Sequence, residues 1–294
     1  MNLKEVLTYV PLNFLTKGFY RKPKVLSSEE TIKFIIEHKV SISRYGDGEI
    51  RSMQGFDLNF QPQSKELTRK LKEIKSTQNC LLCIPNIFEK KFFSKKIIKD
   101  EEYVFWAKHL MKYEYLYKKK FGKVAPLGDA FISRFYIRYN DKSKQKNEKY
   151  ITLLKQIWEQ RDIVFVEGVN SRLGYGNDLF NNSRSIKRIL CPPSDAFSVY
   201  DEILSCVKSN CKKSDLIILA LGPTATVLAY DLSEMGYQAL DMGHVDIEYE
   251  WFLLGVKEKV AIPHKHVNEC DSMGDTESSQ LLQEYKNQVI AEIN

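Results

Sequence analysis

Three short apolar runs in the second half of the chain constrain the fold most: Asp162–Glu167, Asp215–Leu221 and Tyr237–Asp241. Each is nearly continuous in Ile, Leu, Val or Ala and too short for a helix, which is how strands buried on both faces read. Helical stretches alternate with them. Tyr150–Gln160 precedes the first, a helix from Ser194 through Phe197, Tyr200, Ile203 and Leu204 precedes the second, and Ala225–Met235, ended by Gly236, precedes the third. Ser185–Cys191 adds a strand that Pro192-Pro193 stops. This alternation predicts an α/β chain: a Rossmann-like, mostly parallel sheet with helices on both faces and right-handed crossovers.

The first half fits the same plan. Ser27 and Ser28 ahead of Glu29 and Glu30 start a helix with Ile32, Ile35 and Ile36 on its apolar face, and it hands over at Lys39 to a strand, Val40–Tyr45. Leu67, Leu71 and Ile74 give Gln63–Ser76 a helical period, and Cys80–Ile84 is a buried strand stopped by Pro85. The aromatic-rich run Glu101–Lys120 reads as a long core helix with a solvated, lysine-rich end. Asp129–Tyr139 reads as a strand or strand-to-loop element, and the polar window Asn140–Lys149 as a mobile loop between the halves. The expected organisation is a leader at 1–26, one domain at 27–270, and a polar tail at 271–294 ending in a surface helix.

Composition excludes several classes. A net charge of +6 over 294 residues is too weak for a nucleic-acid coat and suits anionic small molecules, phosphorylated substrates or an anionic membrane surface. No apolar run reaches the roughly 18–20 residues that span a bilayer. Val6–Phe14 is broken by Pro11 and followed by Lys17, Arg21, Lys22 and Lys24, which reads as a loosely packed leader, with peripheral membrane contact as the alternative. Cys80-Leu-Leu-Cys83 has no second pair at zinc spacing, so the cysteines read as buried thiols of a cytoplasmic protein, in the cytosol or at the inner face of the membrane.

Ligands of an open parallel sheet bind at the carboxyl ends of its strands, and four polar segments fall there. The first is Arg44-Tyr-Gly46-Asp47-Gly-Glu49, whose two carboxylates would face the same way on an extended backbone and seat a hard divalent cation. Arg44 could pair with a carboxylate or a phosphate. The second, Gly168-Val-Asn-Ser-Arg172-Leu-Gly174-Tyr-Gly176-Asn177-Asp178, reads as a phosphate or ribose clamp with Arg172 as its main cation and Arg184, Lys187 and Arg188 downstream. In the third, Gly222-Pro223-Thr224-Ala-Thr226, a glycine turn leads into a helix N-terminus suited to a diphosphate, with Thr224 and Thr226 as further donors; a tight turn capped by Thr224 is the plain alternative. The fourth, Asp241–Glu250, holds His244, Asp246, Glu248 and Glu250 and could supply a general base for an acceptor hydroxyl. His264-Lys-His266 has metal-like spacing but no third ligand in view. Neither a Walker loop nor GxGxxG is present.

Taken together, Arg-Tyr-Gly-Asp-Gly-Glu, Val-Glu-Gly…Arg-Leu-Gly-Tyr-Gly-Asn-Asp-Leu-Phe, Leu-Gly-Pro-Thr-Ala-Thr and Gly-His-Val-Asp-Ile-Glu-Tyr-Glu-Trp resemble the GT-D-fold glycosyltransferases, once grouped as the domain of unknown function DUF1792, over roughly residues 27–270. The resemblance implies a GT-D-type sheet, Asp47 and Glu49 as the metal-linked Asp-x-Glu motif with Mn2+ or Mg2+, and a UDP-sugar held by the glycine-rich loops. It places no base; Glu248, followed by Asp246 and Glu250, is the choice made on residue chemistry. The expected function is a metal-dependent transfer of a glucose-like sugar from UDP to a glycan acceptor, in glycoprotein or surface-polysaccharide assembly. The alternative is a non-catalytic nucleotide-binding module that supports a partner glycosyltransferase. No nucleic-acid partner is expected.

Overall fold

The computed structural model describes residues 21–88, 92, 94, 96–266 and 279–294. Residues 1–20 of the expected leader and 271–278 of the expected tail lie outside these. The described strands are β1 (Ser41–Arg44), β2 (Cys80–Ile84), β3 (Gly128–Asp129), β4 (Asp162–Gly168), β5 (Ser185–Cys191), β6 (Leu216–Ala220), β7 (Gln238–Asp241) and β8 (Val289–Glu292). They form one eight-stranded sheet in the order β3-β2-β1-β7-β6-β4-β5-β8. Every pairing is parallel, with registers such as Ser41↔Cys80 between β1 and β2 and Ile217↔Ala239 between β6 and β7.

The helices are α1 (Ser28–His38), α2 (Asp47–Ser52), α3 (Lys65–Glu73), α4 (Asp100–Phe121), α5 (Lys144–Lys155), α6 (Tyr200–Asn210), α7 (Pro223–Glu234), α8 (Val245–Leu253) and α9 (Ser279–Gln288). α1 shows how local sequence sets an end. Ser27 accepts from the Glu30 N–H at 3.2 Å, the Glu30 carboxylate accepts from the Ser27 N–H at 2.7 Å, and Lys39 closes the helix at φ 52°.

Strand residues alternate between two cores. Val164, Val166, Ile217 and Leu219 face one core, shared with Leu67 and Leu71 of α3, Tyr117 of α4, Ile203 of α6 and Leu228 of α7. Ile163, Phe165, Leu216 and Ile218 face the other, with Ile32 of α1, Leu154 of α5 and Ile247 and Trp251 of α8. Each fully buried aliphatic side chain contributes roughly 1.5–3 kcal/mol relative to exposure, so both faces need their helices. Ser41 and Ser43 of β1 are small where α7 crosses the sheet, and the Ser43 hydroxyl donates to the Thr226 carbonyl at 2.8 Å.

The exits of neighbouring strands set the site. β1 and β6 lead into α2 and α7 on the first face, whereas β7, which lies between them, leads into α8 on the second. Neighbouring strands that leave toward opposite faces open a crevice at their carboxyl ends.

Two expectations on elements are corrected and one is narrowed. Of the two readings of Asp129–Tyr139, the strand-to-loop one holds: after the two residues of β3 the chain turns into a 3-10 helix, Ala130–Ser133, with the Asp129 carboxylate accepting from the Phe131 N–H at 2.9 Å. A short polar acceptor next to its own turn outcompetes the apolar pattern that followed. The window Asn140–Lys149 is not a loop throughout, since α5 begins at Lys144. The polar tail is not confined to a surface helix, because β8 pairs with β5 and completes the sheet edge.

Candidate functional site

Arg44 ends β1 and lies across the crevice. One terminal nitrogen donates to the Asp241 carboxylate at 2.7 Å and to the Gly243 carbonyl at 3.3 Å. The other donates to the Ala130 carbonyl at 3.1 Å and to the Ser133 hydroxyl. Ser133 in turn donates to the Gly243 carbonyl at 2.9 Å. Thr226 ties α7 to the same place, its hydroxyl lying 2.9 Å from the Arg44 carbonyl and 3.3 Å from Asp241. Arg44 therefore fixes the relative positions of the β1 and β7 exits rather than standing open as a phosphate cation.

Asp47 and Glu49 lie just beyond Arg44, and the structure corrects their local geometry. They sit in the first turn of α2, not on an extended backbone. Two residues along a helix turns a side chain by about 200°, so the shared-face argument fails. What brings them to one place is the helix start: the Glu49 carboxylate folds back to accept from the Gly46 N–H at 2.6 Å. Burial, with Asp241 and then Asp47 nearby, pushes the Glu49 carboxyl up to about 7. Burial is the main cause of that shift, and the neighbouring carboxylates add to it. Clustered carboxylate oxygens are the chemistry a hard divalent cation takes. Among the described residues no group of three or more His, Cys, Asp or Glu side chains could hold a metal alone. Asp47 and Glu49 fit a cation that completes its shell with ligand oxygens and water.

The glycine-rich segment after β4 is organised differently from the expected clamp. The Gly174 N–H donates to Asp246 at 2.9 Å, and the Asn177 amide donates to Asp246 at 2.7 Å and Glu250 at 2.6 Å. Asp178 accepts from Tyr249 at 2.6 Å and from Lys155 at 2.9 Å. These groups pin the loop to α8 and α5. Gly174 at φ 71° has no room for a Cβ, which would lie 2.8 Å from the Phe180 ring. Gly168 packs beside Pro193, and Gly176 at φ 75° is exposed. Arg172 lies over the Tyr175 and Tyr285 rings at 5.6 and 5.9 Å, near the β5 edge. β5, next to the edge strand β8, is four strands from β1, roughly 19 Å along the sheet. Lys187 is exposed in the first half of β5, away from the carboxyl ends; its neighbour Arg188, buried against Glu167 at 2.5 Å, is structural.

The α7 N-terminus is also partly occupied. Gly222 has φ 54°, and a Cβ there would meet the Phe60 ring at 2.6 Å. Gln61 bridges the gap: its carbonyl accepts from the Thr224 hydroxyl and the Phe197 N–H, each at 3.3 Å, while its amide donates to Asp195 at 2.6 Å. Pro223 begins the helix and has no N–H. Thr224 and Thr226 are fully buried and hydrogen-bonded within the protein, so the expected hydroxyl donors serve packing. Nothing in the polar loop around Phe60 and Gln61 marked it in the sequence as the cover of this helix end.

The acidic segment after β7 is corrected most. His244 starts α8 at φ 71° beside the crevice. Asp246 and Glu248 are 0% exposed. Asp246 and Glu250 each lie 2.6 Å from the Lys265 ammonium. Glu248 accepts from the Tyr136 and Ile137 N–H groups at 2.7 and 2.8 Å, and burial pushes its carboxyl up against the pull of Arg134 and those N–H groups. Asp246 and Glu248 have no open face from which to take an acceptor's proton, and Glu250 is held by Lys265 and Asn177. Lys265 gave no signal in the sequence beyond its place between two histidines. Ser133 and His109 likewise carried no signal, and Asp241 stood out only as the first residue of the acidic segment. His109 of α4 is buried with its ring nitrogen 3.2 Å from the Tyr117 hydroxyl.

Known proteins place this arrangement. The model of the family described as glycosyltransferase GT-D fold matches residues 42–270. A glycosyltransferase GlyD of Streptococcus pneumoniae is 39% identical over 287 residues, covering 95% of this chain and 34% of that protein. A probable glycosyl transferase Gly of Streptococcus gordonii is 36% identical over 278 residues, covering 93% of this chain and 39% of that protein. The chain thus spans little more than a third of the curated relatives it matches. A solved structure of the highly conserved domain of unknown function 1792, with a distinct glycosyltransferase fold, aligns at a TM-score of 0.84 and 36% identity over 97% of this chain and 99% of that one. A new glycosyltransferase (DUF1792) from Streptococcus sanguinis aligns at 0.82 and 36% identity over 92% of this chain and all (100%) of that one. The chain belongs to the glycosyltransferase GT-D fold family.

Proposed function

We propose that the protein transfers a glucose-like hexose from UDP to a glycan acceptor, using a divalent cation, Mn2+ or Mg2+, held by Asp47 and Glu49. The observation that carries this reading is the place of Asp47 and Glu49 in the first turn of α2 at the β1 exit, while Asp241, Asp246 and Glu250 of the same crevice are paired with Arg44 and Lys265. The bond from the sugar C1 to the diphosphate oxygen breaks, a bond from C1 to the acceptor hydroxyl oxygen forms, and the hydroxyl proton passes to the departing diphosphate or to solvent. A cation held here would supply positive charge to the departing diphosphate. Arg44, through Asp241 and Gly243, keeps the β1 and β7 exits in register so that Asp47 and Glu49 present their oxygens from fixed positions. Membership of the family supports the transferase class; the donor, the metal and a place in glycoprotein or surface-polysaccharide assembly are part of the proposal. No helix among the described residues is long and apolar enough to cross a membrane.

The test is nucleotide release. The purified protein is incubated with UDP- and GDP-sugars, Mn2+ and mixed glycan acceptors, with and without EDTA. Release of UDP that EDTA stops supports the reading. Metal-dependent UDP binding without release would make the chain a nucleotide-binding module. Neither release nor metal-dependent binding would overturn both.

A further inference from the structure

α4 packs against α2, and α4 and the loop after α2 carry a surface of definite chemistry. Phe105, His109 and Lys112 recur at helical spacing and share one face of α4. Phe105 stacks on His109 with ring centroids 6.2 Å apart and 12° between planes. His109 in turn meets Tyr113 at 4.8 Å. The Lys112 ammonium lies 5.1 Å from the Tyr113 ring and 5.1 Å from the ring of Phe56. Phe56 and Phe105 are each 46% exposed, among the largest apolar side chains left open to solvent. The result is a strip with two exposed aromatic faces, Phe56 and Phe105, joined through the buried His109 and Tyr113 rings, and with a cation set into it. Its inner end is the site already described, because α2 packs against α4 and Asp47 and Arg51 are charges that His109 feels.

We propose that this strip is the acceptor subsite and that it takes a pyranose glycan. The C–H face of a sugar ring lies on the Phe56 and Phe105 rings, and its hydroxyls bond to Lys112 and Arg51. Amphipathic ligands of this kind are held by aromatic faces with a few placed polar groups. The strip leads to Asp47, so a glycan lying on it points its terminal hydroxyl at the place where the donor's diphosphate would be held. This assignment rests on the transferase reading for its purpose, but not for its test.

The probes are the methyl glycosides of glucose, galactose and N-acetylglucosamine and their disaccharides, titrated without donor or metal and followed by tryptophan fluorescence and ligand-observed NMR. At least one should bind, more tightly as the disaccharide. Phe56→Ala and Phe105→Ala, both at exposed positions, should each raise its Kd about 5- to 10-fold, and in turnover should raise the acceptor KM. Binding by none of the probes, or binding that neither substitution weakens, overturns the proposal. So does concentration-dependent dimerisation that Phe105→Ala abolishes in a protein that binds no glycoside, since the strip would then be a contact between copies. Failure of the transferase reading shows separately, as wild-type protein that releases no nucleotide.

Discussion

The two acidic segments at the crevice, Asp47-Gly-Glu49 after β1 and Asp246-Ile-Glu-Tyr-Glu250 after β7, carry the same functional groups and are built for opposite ends. After β7, a lysine, an asparagine amide and three backbone N–H groups meet the carboxylates, and two of the three are fully buried. After β1, Glu49 has one N–H from Gly46 and two acidic neighbours that raise its proton affinity. A buried carboxylate that several donors meet holds a fold together, because each donor would be stranded without it. One left among like charges is costly unless something else neutralises it. The number of acids in a loop therefore says little about catalysis; what surrounds each decides.

The largest effect that would test this contrast is expected from Lys265→Met. It leaves Asp246 and Glu250 side by side without their cation, and unfolding free energy should fall by about 3 to 5 kcal/mol, read by chemical denaturation. Asp47→Asn and Glu49→Gln should do the reverse. Nucleotide release should fall by about two orders of magnitude, close to 3 kcal/mol, with Mn2+ binding lost in calorimetry and the melting temperature nearly unchanged. A large loss of stability in either would make the β1 segment structural too and erase the contrast. Glu248→Leu should cost about 1 to 3 kcal/mol by stranding the Tyr136 and Ile137 N–H groups, and Glu248→Gln, which keeps an acceptor, should recover most of it. The smallest effect concerns pH. Burial lowers the His109 pKa to about 4 from its ordinary 6.5. Between those values the unfolded chain takes up a proton that the folded chain refuses, so stability falls as pH drops from 6.5 to 4. His109→Gln should flatten that part of the denaturation profile relative to wild type.

Particular elements show what could be read in advance. β4, β6 and β7 were legible because a strand covered on both faces must be apolar at nearly every position, as Ile163, Val164, Phe165 and Val166 are. α1 was legible from its capping box. Asp129–Tyr139 was legible only in part because Phe131, Ile132, Phe135 and Ile137 are buried as strand residues would be, yet a 3-10 turn and a loop pinned by Glu248 deliver them to the core. Asn140–Lys149 was misread because half of α5 faces solvent. β8 was missed because an edge strand with alternating burial offers little apolar signal.

The amino-acid sequence by itself determined the α/β architecture, the helices on both faces and the place of Asp47 and Glu49 at the exit of β1, since periodicity and local turn chemistry act over a few residues. Only the tertiary structure decided which polar groups are spent. Arg44 is taken by Asp241, 197 residues away, Thr224 by Gln61, 163 residues away, and Tyr136 by Glu248, 112 residues away. Partners at such separations leave no pattern in a single chain, because the free energy of a charge depends on what folding brings beside it.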